Sequence, residues 1–332
     1  MLAIAVALAA APAAAQNFYT GKTISIMVGG SPGGGHDAYA RLLARHMPRH
    51  VPGNPAVVVR NMPGAGSARA AGQLFATAPK DGTALAALYP GSIMGPLLDD
   101  RWEAHYDPAK FNYIGSAESG ARICATYHTS KIKTFKDAIA QPSVFAASAP
   151  GGSVHDYAFM LKKTAGAQYR AVVGYGATLD MTLAMERGEV DGLCGWDWST
   201  AKVQKADWLR DGKVNLLLQV ALEPDKQLSG LGVPVVWDFV KGEEDRQAIR
   251  VIASQQVFSR PYAAPPETPA EQVRQLRAGF DATMRDAQFL ADAEKSRLDI
   301  SPTGGADLQR LVEGIFATPK PVVEHAKRLI KP

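Results

Sequence analysis

Thr23-Ile24-Ser25-Ile26-Met27-Val28-Gly29-Gly30-Ser31-Pro32-Gly33-Gly34-Gly35-His36-Asp37 is a β-rich apolar run that ends in glycine, serine and proline. A helical pattern follows, with Tyr39, Leu42, Leu43 and Met47 at helical spacing and Pro48 as its stop. Strand, glycine turn and helix make up the unit of a parallel sheet with crossover helices. The unit recurs twice. A strand over 56–60 closes in Asn61-Met62-Pro63-Gly64-Ala65-Gly66 before a small-residue helix that runs to about Ala76. Pro79-Lys80-Asp81-Gly82 is a turn by composition, and it feeds a strand over 84–89 that ends in Pro90-Gly91-Ser92 and a short helix.

A second series begins near Phe111. Its patterns predict strands over 113–116, 122–127, 143–148, 169–173 and 190–194, with helices at about 134–140, 153–165 and 177–187. A strand over 216–220 carries the chain back. The last third reads as helical. Thr268-Pro269-Ala270-Glu271 has the form of a capping box with proline at the first helical position, and Val273, Leu276, Phe280 and Met284 form the stripe behind it. Thr303-Gly304-Gly305 opens the final helical region, with Leu308, Leu311, Val312 and Ile315 on one face. The expected fold is α/β with two lobes. Residues 16–110 and 221–332 form the first, 111–220 are inserted as the second, and a ligand cleft lies between them at the carboxyl ends of the strands.

Composition agrees. The chain has 332 residues, 46% hydrophobic and 20% charged, enough for two packed domains. Its 36 basic and 32 acidic residues leave +4, spread along the chain, so it lacks the basic stripe of a nucleic-acid binder. Residues 1–15 have the form of a signal peptide. An apolar run from Leu2 to Ala11, too short to span a membrane, meets Pro12 and then Ala13-Ala14-Ala15 before Gln16, which predicts cleavage near Ala15 and a periplasmic location. In that oxidising compartment Cys124 and Cys194 are either a disulfide or two buried thiols. Without a Cys-x-x-Cys they suggest neither metal nor redox chemistry. His46 and His50 stand four apart, but Pro48 breaks the helix between them, so a solvated surface is expected in place of a metal site.

The loops carry the chemistry. Five stretches turn a strand into a helix on glycine and proline: 31–36, 63–66, 90–92, 151–153 and 174–176. Any one is readable as a tight turn. Together they present unpaired backbone N–H groups and positive helix ends, which bind an anion without arginine. The candidate ligand-binding residues are Pro32, Gly33, Gly34, Gly35 and His36 from the first loop and Pro63, Gly64, Ala65 and Gly66 from the second. Tyr89 and Ser92 join them from the third, with Ser148, Gly152, Ser153, Tyr175 and Gly176 from the second series, and Asp197. His36 is either a donor to the ligand or simply exposed. Asp37, where a carboxylate would repel an anion, is expected to face its own loop backbone. Ser153 reads as a helix cap with its hydroxyl open to the cleft.

Other chemistries fit poorly. No acidic residue sits about twenty positions after a Gly-x-Gly-x-x-Gly, and no Gly-Lys-Ser/Thr follows a glycine run, so neither a dinucleotide nor a P-loop site is expected and no cofactor is implied. Gly152-Ser153-Val154-His155-Asp156 lacks the nucleophile elbow, and triad partners come from separate segments. In Gly195-Trp196-Asp197-Trp198-Ser199 the tryptophans share one face, in the core or along the pocket, while Asp197 either accepts from a ligand hydroxyl or holds a hinge.

Taken in order, these motifs resemble the Bug or TctC-like receptors of tripartite tricarboxylate transporters. Ser31 to Leu43 is similar to the family's Pro-Gly-Gly-Gly-x-Asp and Ala-Arg-Leu-Leu. Asn61 to Gly66 matches its Asn-x-Pro-Gly-Ala-Gly, and Pro79-Lys80-Asp81-Gly82-Thr83 its Pro-Asp-Gly-Tyr-Thr. Gly188-Glu189-Val190-Asp191-Gly192 resembles Gly-x-Val-Asp, and Pro265 to Pro269 the opening of the C-terminal helices. Met62 departs from the family's arginine, and the tryptophan segment and 228–240 depart from its pattern. The resemblance implies a periplasmic-binding-protein (Venus flytrap) fold and a monomeric receptor, not an enzyme. It also implies that the loops at 32–36 and 63–66 grip one carboxylate through amides and waters, while those at 148–153 and 175–176 read the rest of a di-, tri- or aromatic carboxylate. The closed form then docks on membrane permease subunits. A secreted hydrolase and a receptor feeding a sensor kinase are the alternatives.

Overall fold

The structure, a computed structural model, describes residues 18–332 other than 101, 103, 104 and 149–151. The signal segment 1–15 and Gly151 therefore lie outside the described residues.

Three strand–loop–helix units open the chain as the sequence predicts: β1 (Thr23–Val28) with α1 (Gly35–His46), β2 (Ala56–Asn61) with α2 (Ala68–Ala76), and β3 (Ala84–Ala87) with α3 (Pro90–Leu98). Then come β4 (Asn112–Ser116), β5 (Arg122–Tyr127), α4 (Phe135–Ala140), β6 (Ser143–Ala147), α5 (Ser153–Thr164), β7 (Tyr169–Val173) and α6 (Thr178–Glu186). β8 (Gly192–Asp197), α7 (Trp198–Gln204), α8 (Ala206–Arg210) and β9 (Val214–Val220) complete the middle of the chain. The last third holds α9 (Lys226–Gly230), α10 (Glu243–Ala253), β10 (Pro261–Ala264), α11 (Ala270–Thr283), α12 (Ala287–Lys295), β11 (Thr303–Gly304), α13 (Gly305–Phe316) and α14 (Lys320–Ile330).

The strands form two sheets, ordered β11-β4-β10-β3-β1-β2 and β7-β6-β8-β5-β9. Both are mixed, not purely parallel. β1 runs parallel to β2 and β3, whereas β10 is antiparallel to β3 and β4. In the second sheet β6 is parallel to β7 and β8, and β5 is antiparallel to β8 and β9. One strand is placed differently from expectation. β4, read as the start of the second lobe, pairs with β10 and β11 in the first sheet. Its partners lie about 150 to 190 residues further along the chain, a pairing that local periodicity cannot see. The chain thus crosses between sheets after Ser116, and β10 brings it back to the middle of the first sheet.

Some local readings change. Thr268 caps nothing: its hydroxyl donates to the Pro265 carbonyl, and α11 starts after Pro269 without a side-chain cap. His46 and His50 are not solvated. His46 is buried against Phe289 and bonds Asp292 at 3.1 Å, while His50 bonds Asp286 at 2.8 Å, so both fasten the first helix to α12. Cys124 and Cys194 are opposite one another on β5 and β8 and form a buried disulfide. Trp196 and Trp198 both pack in the core of the second sheet, Trp196 edge-on to Trp208.

The C-terminal helix joins the halves. α14 packs on α3, α10 and α5, and Lys163 of α5 donates to the carbonyls of Arg328 and Lys331 at 2.7 and 2.6 Å. A cation there completes the unpaired carbonyls at the helix C-terminus.

Candidate ligand-binding cleft

The first two glycine loops are locked to one another by side chains from both motifs. Asp37 accepts from the Gly33 amide at 2.8 Å and from Arg41 Nε at 2.9 Å, so it faces its own loop, as expected. Asn61 Nδ2 donates to Asp37 Oδ1 at 2.9 Å and to the Gly30 carbonyl at 3.0 Å, and Arg41 closes the ring by donating to Asn61 Oδ1 at 3.0 Å. These donors hold the Asp37 carboxyl down at about 2, Arg41 first, with the Gly33 amide and Asn61 adding to it.

Glycine is required where other side chains close over the loop. A methyl group at Gly29 would lie 1.8 Å from Ser67 Oγ, and one at Gly30 would lie 2.3 Å from the Tyr89 hydroxyl. Tyr89 thus reaches over the end of β1, and the His36 ring packs on it with centroids 4.2 Å apart.

Between the two sheets lies a cleft of about 1090 Å³. The sequence-predicted residues His36, Ala65, Gly66 and Tyr89 line it from the first sheet's loops, and Ser148, Gly152, Ser153, Tyr175 and Gly176 from the second's. Pro32, Gly33, Gly34, Gly35, Pro63 and Gly64 are not part of its lining and are exposed to solvent. Ser92 is buried, its hydroxyl donating to the Tyr89 carbonyl, which holds the first turn of α3. Ser153 is not the cap of α5. Gly152 is, and the Ser153 hydroxyl, in the cleft lining, donates to the Gly195 carbonyl at 3.1 Å.

Side-chain caps are not the rule in this fold: α2, α8, α10, α11, α13 and α14 start without one. α4, α7, α9 and α12 are capped by Thr134, Asp197, Asp225 and Asp286. The helices that begin beside the cleft, α1, α3, α5 and α6, start after Gly34, Tyr89, Gly152 and Ala177, none with a side-chain cap. Their first-turn N–H groups are left to whatever occupies the cleft.

Three lining side chains have buried nitrogens without a hydrogen-bond partner: His36 Nε2, Arg122 Nε and His155 Nε2. Burial, with Arg260 nearby, pushes His36 well below the usual imidazole range, so it is neutral at pH 7. His155 Nδ1 is 2.9 Å from Asp156 Oδ1. Arg122 and His155 escaped the sequence reading. Their signal was a charge opening the apolar strand Arg122-Ile123-Cys124-Ala125, and an imidazole on the wholly buried start of α5.

Arg122 also anchors a buried charge cluster where the chain crosses between sheets. It pairs with Asp197, whose Oδ1 caps α7 through the Thr200 amide at 3.1 Å. Ser199 bridges Asp197 to Glu118, and Glu118 pairs with Arg260 at 3.3 Å. Arg260 lies over the Tyr39 ring, 5.2 Å from its centroid. Burial, with Asp197 nearby, raises the Glu118 carboxyl. Asp197 is held down at about 2: its own burial opposes this, but Arg122 and then Arg260 outweigh it. Asp197 thus sits behind the cleft wall and is not part of its lining.

At the level of sequence, no protein-family model matches the chain and no curated protein matches it significantly. Solved structures do. A TctC solute-binding protein from Polaromonas, without ligand, superposes with a TM-score of 0.71 at 16% identity, over 94% of this chain and 99% of that one. MatC from Rhodopseudomonas palustris with bound malate gives 0.62 at 20% identity, over 93% and 99%. A second R. palustris protein, with adipate, gives 0.65 at 20% identity, over 92% and 97%. The fold is therefore the two-lobed α/β fold of periplasmic solute-binding proteins.

Proposed function

We propose that this chain is a solute-binding receptor of the Bug or TctC-like kind, exported to the periplasm, which captures a small carboxylate and presents it to the membrane permease of a tripartite tricarboxylate transporter. One observation carries the reading. A single cleft gathers four helix starts with no side-chain cap and the buried, unpartnered nitrogens of His36, Arg122 and His155. Backbone N–H groups and helix dipoles held in place before binding suit a carboxylate, and they cost no desolvation of a lysine or arginine. The lobes would close over it about the crossing segments. The order of the sequence motifs supports the family, and the structural likenesses support its fold.

Turnover is a poorer account of the same residues. Ser153 commits its hydroxyl to Gly195, and His155 and Asp156 stand on the same helical turn as Ser153 instead of converging on it from elsewhere.

The test is a thermal-shift and calorimetric screen of short diacids, citrate and aromatic acids. A ligand that binds the folded form alone adds about 2.7 kcal/mol at 100 times its Kd. Gly91 lines the cleft, and a Cβ there meets nothing within 4 Å, so Gly91→Leu should fold and its side chain should block binding. Unchanged affinity in that variant would place the ligand elsewhere.

A further inference from the structure

Resting on that receptor reading, we propose that the ligand is a monocarboxylate with an aromatic or similarly bulky apolar body, seated against Trp102 in an annex between α3 and α14. The two halves of the cleft differ in chemistry. The half beside His36, Arg122 and His155 holds the buried unpartnered nitrogens and the open start of α5. The other half is apolar. Met94 and Leu98, one helical turn apart on α3, share a face there, and Ile330 of α14 joins them in the lining.

Trp102 forms the wall of this annex. Its indole lies directly on the bare backbone of α3, where a methyl group at Gly95 would come within 2.5 Å of the ring. Gly66 approaches the edge of the indole, where a methyl group would stand 4.0 Å from Cη2. A large flat ring held on glycine is a stacking surface for another flat ring.

Charge argues against a second carboxylate in the annex. Among the described residues, the cations at its rim are already paired. Lys327 bonds Asp100 and Glu324, the latter at 3.1 Å, and Lys331 pairs with Asp100 at 3.5 Å. In the polar half, Arg122 is paired with Asp197 and His36 is neutral, so the donors there suit one carboxylate. Size agrees: about 1090 Å³ is slightly more than the roughly 300–1,000 Å³ that holds drug-sized ligands, room for a bulky acid.

The experiment is calorimetry of the mature chain with benzoate, phenylacetate and cyclohexanecarboxylate against succinate, malate, adipate and citrate. It is repeated with Trp102→Ala and Trp102→Phe after their melting points confirm folding. The expected result is that the ring-bearing acids bind best. Trp102→Ala should weaken them tenfold or more, and Trp102→Phe should restore most of the loss. Tighter binding of the short di- or tricarboxylates overturns the proposal and leaves the receptor reading standing, as does a Trp102→Ala protein with undiminished affinity for the ring-bearing acids. Binding of none of these acids overturns both.

Discussion

Asn61 Nδ2 lies 2.9 Å from Asp37 Oδ1, and this hydrogen bond joins two glycine loops that the sequence separates by more than twenty residues. Asn61 ends β2 and Asp37 stands in the first turn of α1. The acid and the amide that recur in the two motifs are thus not ligand-binding groups. They position the loops whose later residues, His36, Ala65 and Gly66, reach the cleft.

The carboxylate gives this bond a pH signature. Asp37 titrates at about 2 in the fold against an ordinary 3.8, so its folded value is depressed. Such a group adds stability that is complete above the unfolded value and is lost as pH falls towards the folded one. Between pH 4 and 2 the wild type should therefore lose more stability than Asp37→Asn, followed by urea midpoints. Parallel profiles for the two proteins would show that the Arg41 and Asn61 bonds contribute nothing in solution.

The disulfide closes a loop of 70 residues between β5 and β8. Chain entropy assigns such a closure roughly 4 kcal/mol. A Cys124→Ala, Cys194→Ala protein should lose about that much in denaturant unfolding. Because both sulfurs are fully buried, reductant should lower the midpoint of the wild type only once it unfolds, and leave the double variant unaffected.

The crossing cluster predicts an asymmetry between its partners. Burial, with Asp197 nearby, raises Glu118, so desolvation offsets part of its pairing with Arg260, and Glu118→Gln should cost less than loss of the cation. Arg260→Met instead strands Glu118 and Asp197 on Arg122 alone and should cost about 3–5 kcal/mol. The double variant should recover part of that loss in a thermodynamic cycle. Equal losses in both single variants would mean that the pair contributes as an ordinary salt bridge.

How much of this was legible depends on how local the cause is. β1, its glycines and α1 follow from residues within a few positions of each other, and there sequence and structure coincide. β10 did not show itself. Pro261-Tyr262-Ala263-Ala264 is short, buried on both faces and without alternation, and it is a strand because β3 and β4 flank it. The cleft follows the same division. Turn glycines mark the loops, but which of them face the ligand depends on how the two sheets sit. Thus Gly34 and Gly64, natural targets for a blocking substitution from sequence alone, are exposed outside the lining, whereas Gly91 is on it. Arg122, His155 and Trp102 owe their place in the cleft to tertiary packing alone.

The tightest approach among the loop glycines gives a last prediction. A methyl group at Gly29 would lie 1.8 Å from Ser67 Oγ, and Ser67 is itself unusual. It is fully buried, its hydroxyl has no partner, and its backbone is left-handed at φ +80°, where a non-glycine residue costs roughly 1–2 kcal/mol. Gly29→Ala should therefore destabilise by about 1–3 kcal/mol through overpacking. Ser67→Gly removes the strain and the orphaned hydroxyl together, at the cost of a small void, and should be neutral or slightly stabilising. Combined, the two should restore most of the wild-type melting temperature, because the added methyl occupies the space the hydroxyl leaves. If Ser67→Gly is instead strongly destabilising and fails to rescue Gly29→Ala, the Ser67 side chain is making a stabilising contact in solution, and the close fit of β1 against α2 has another cause.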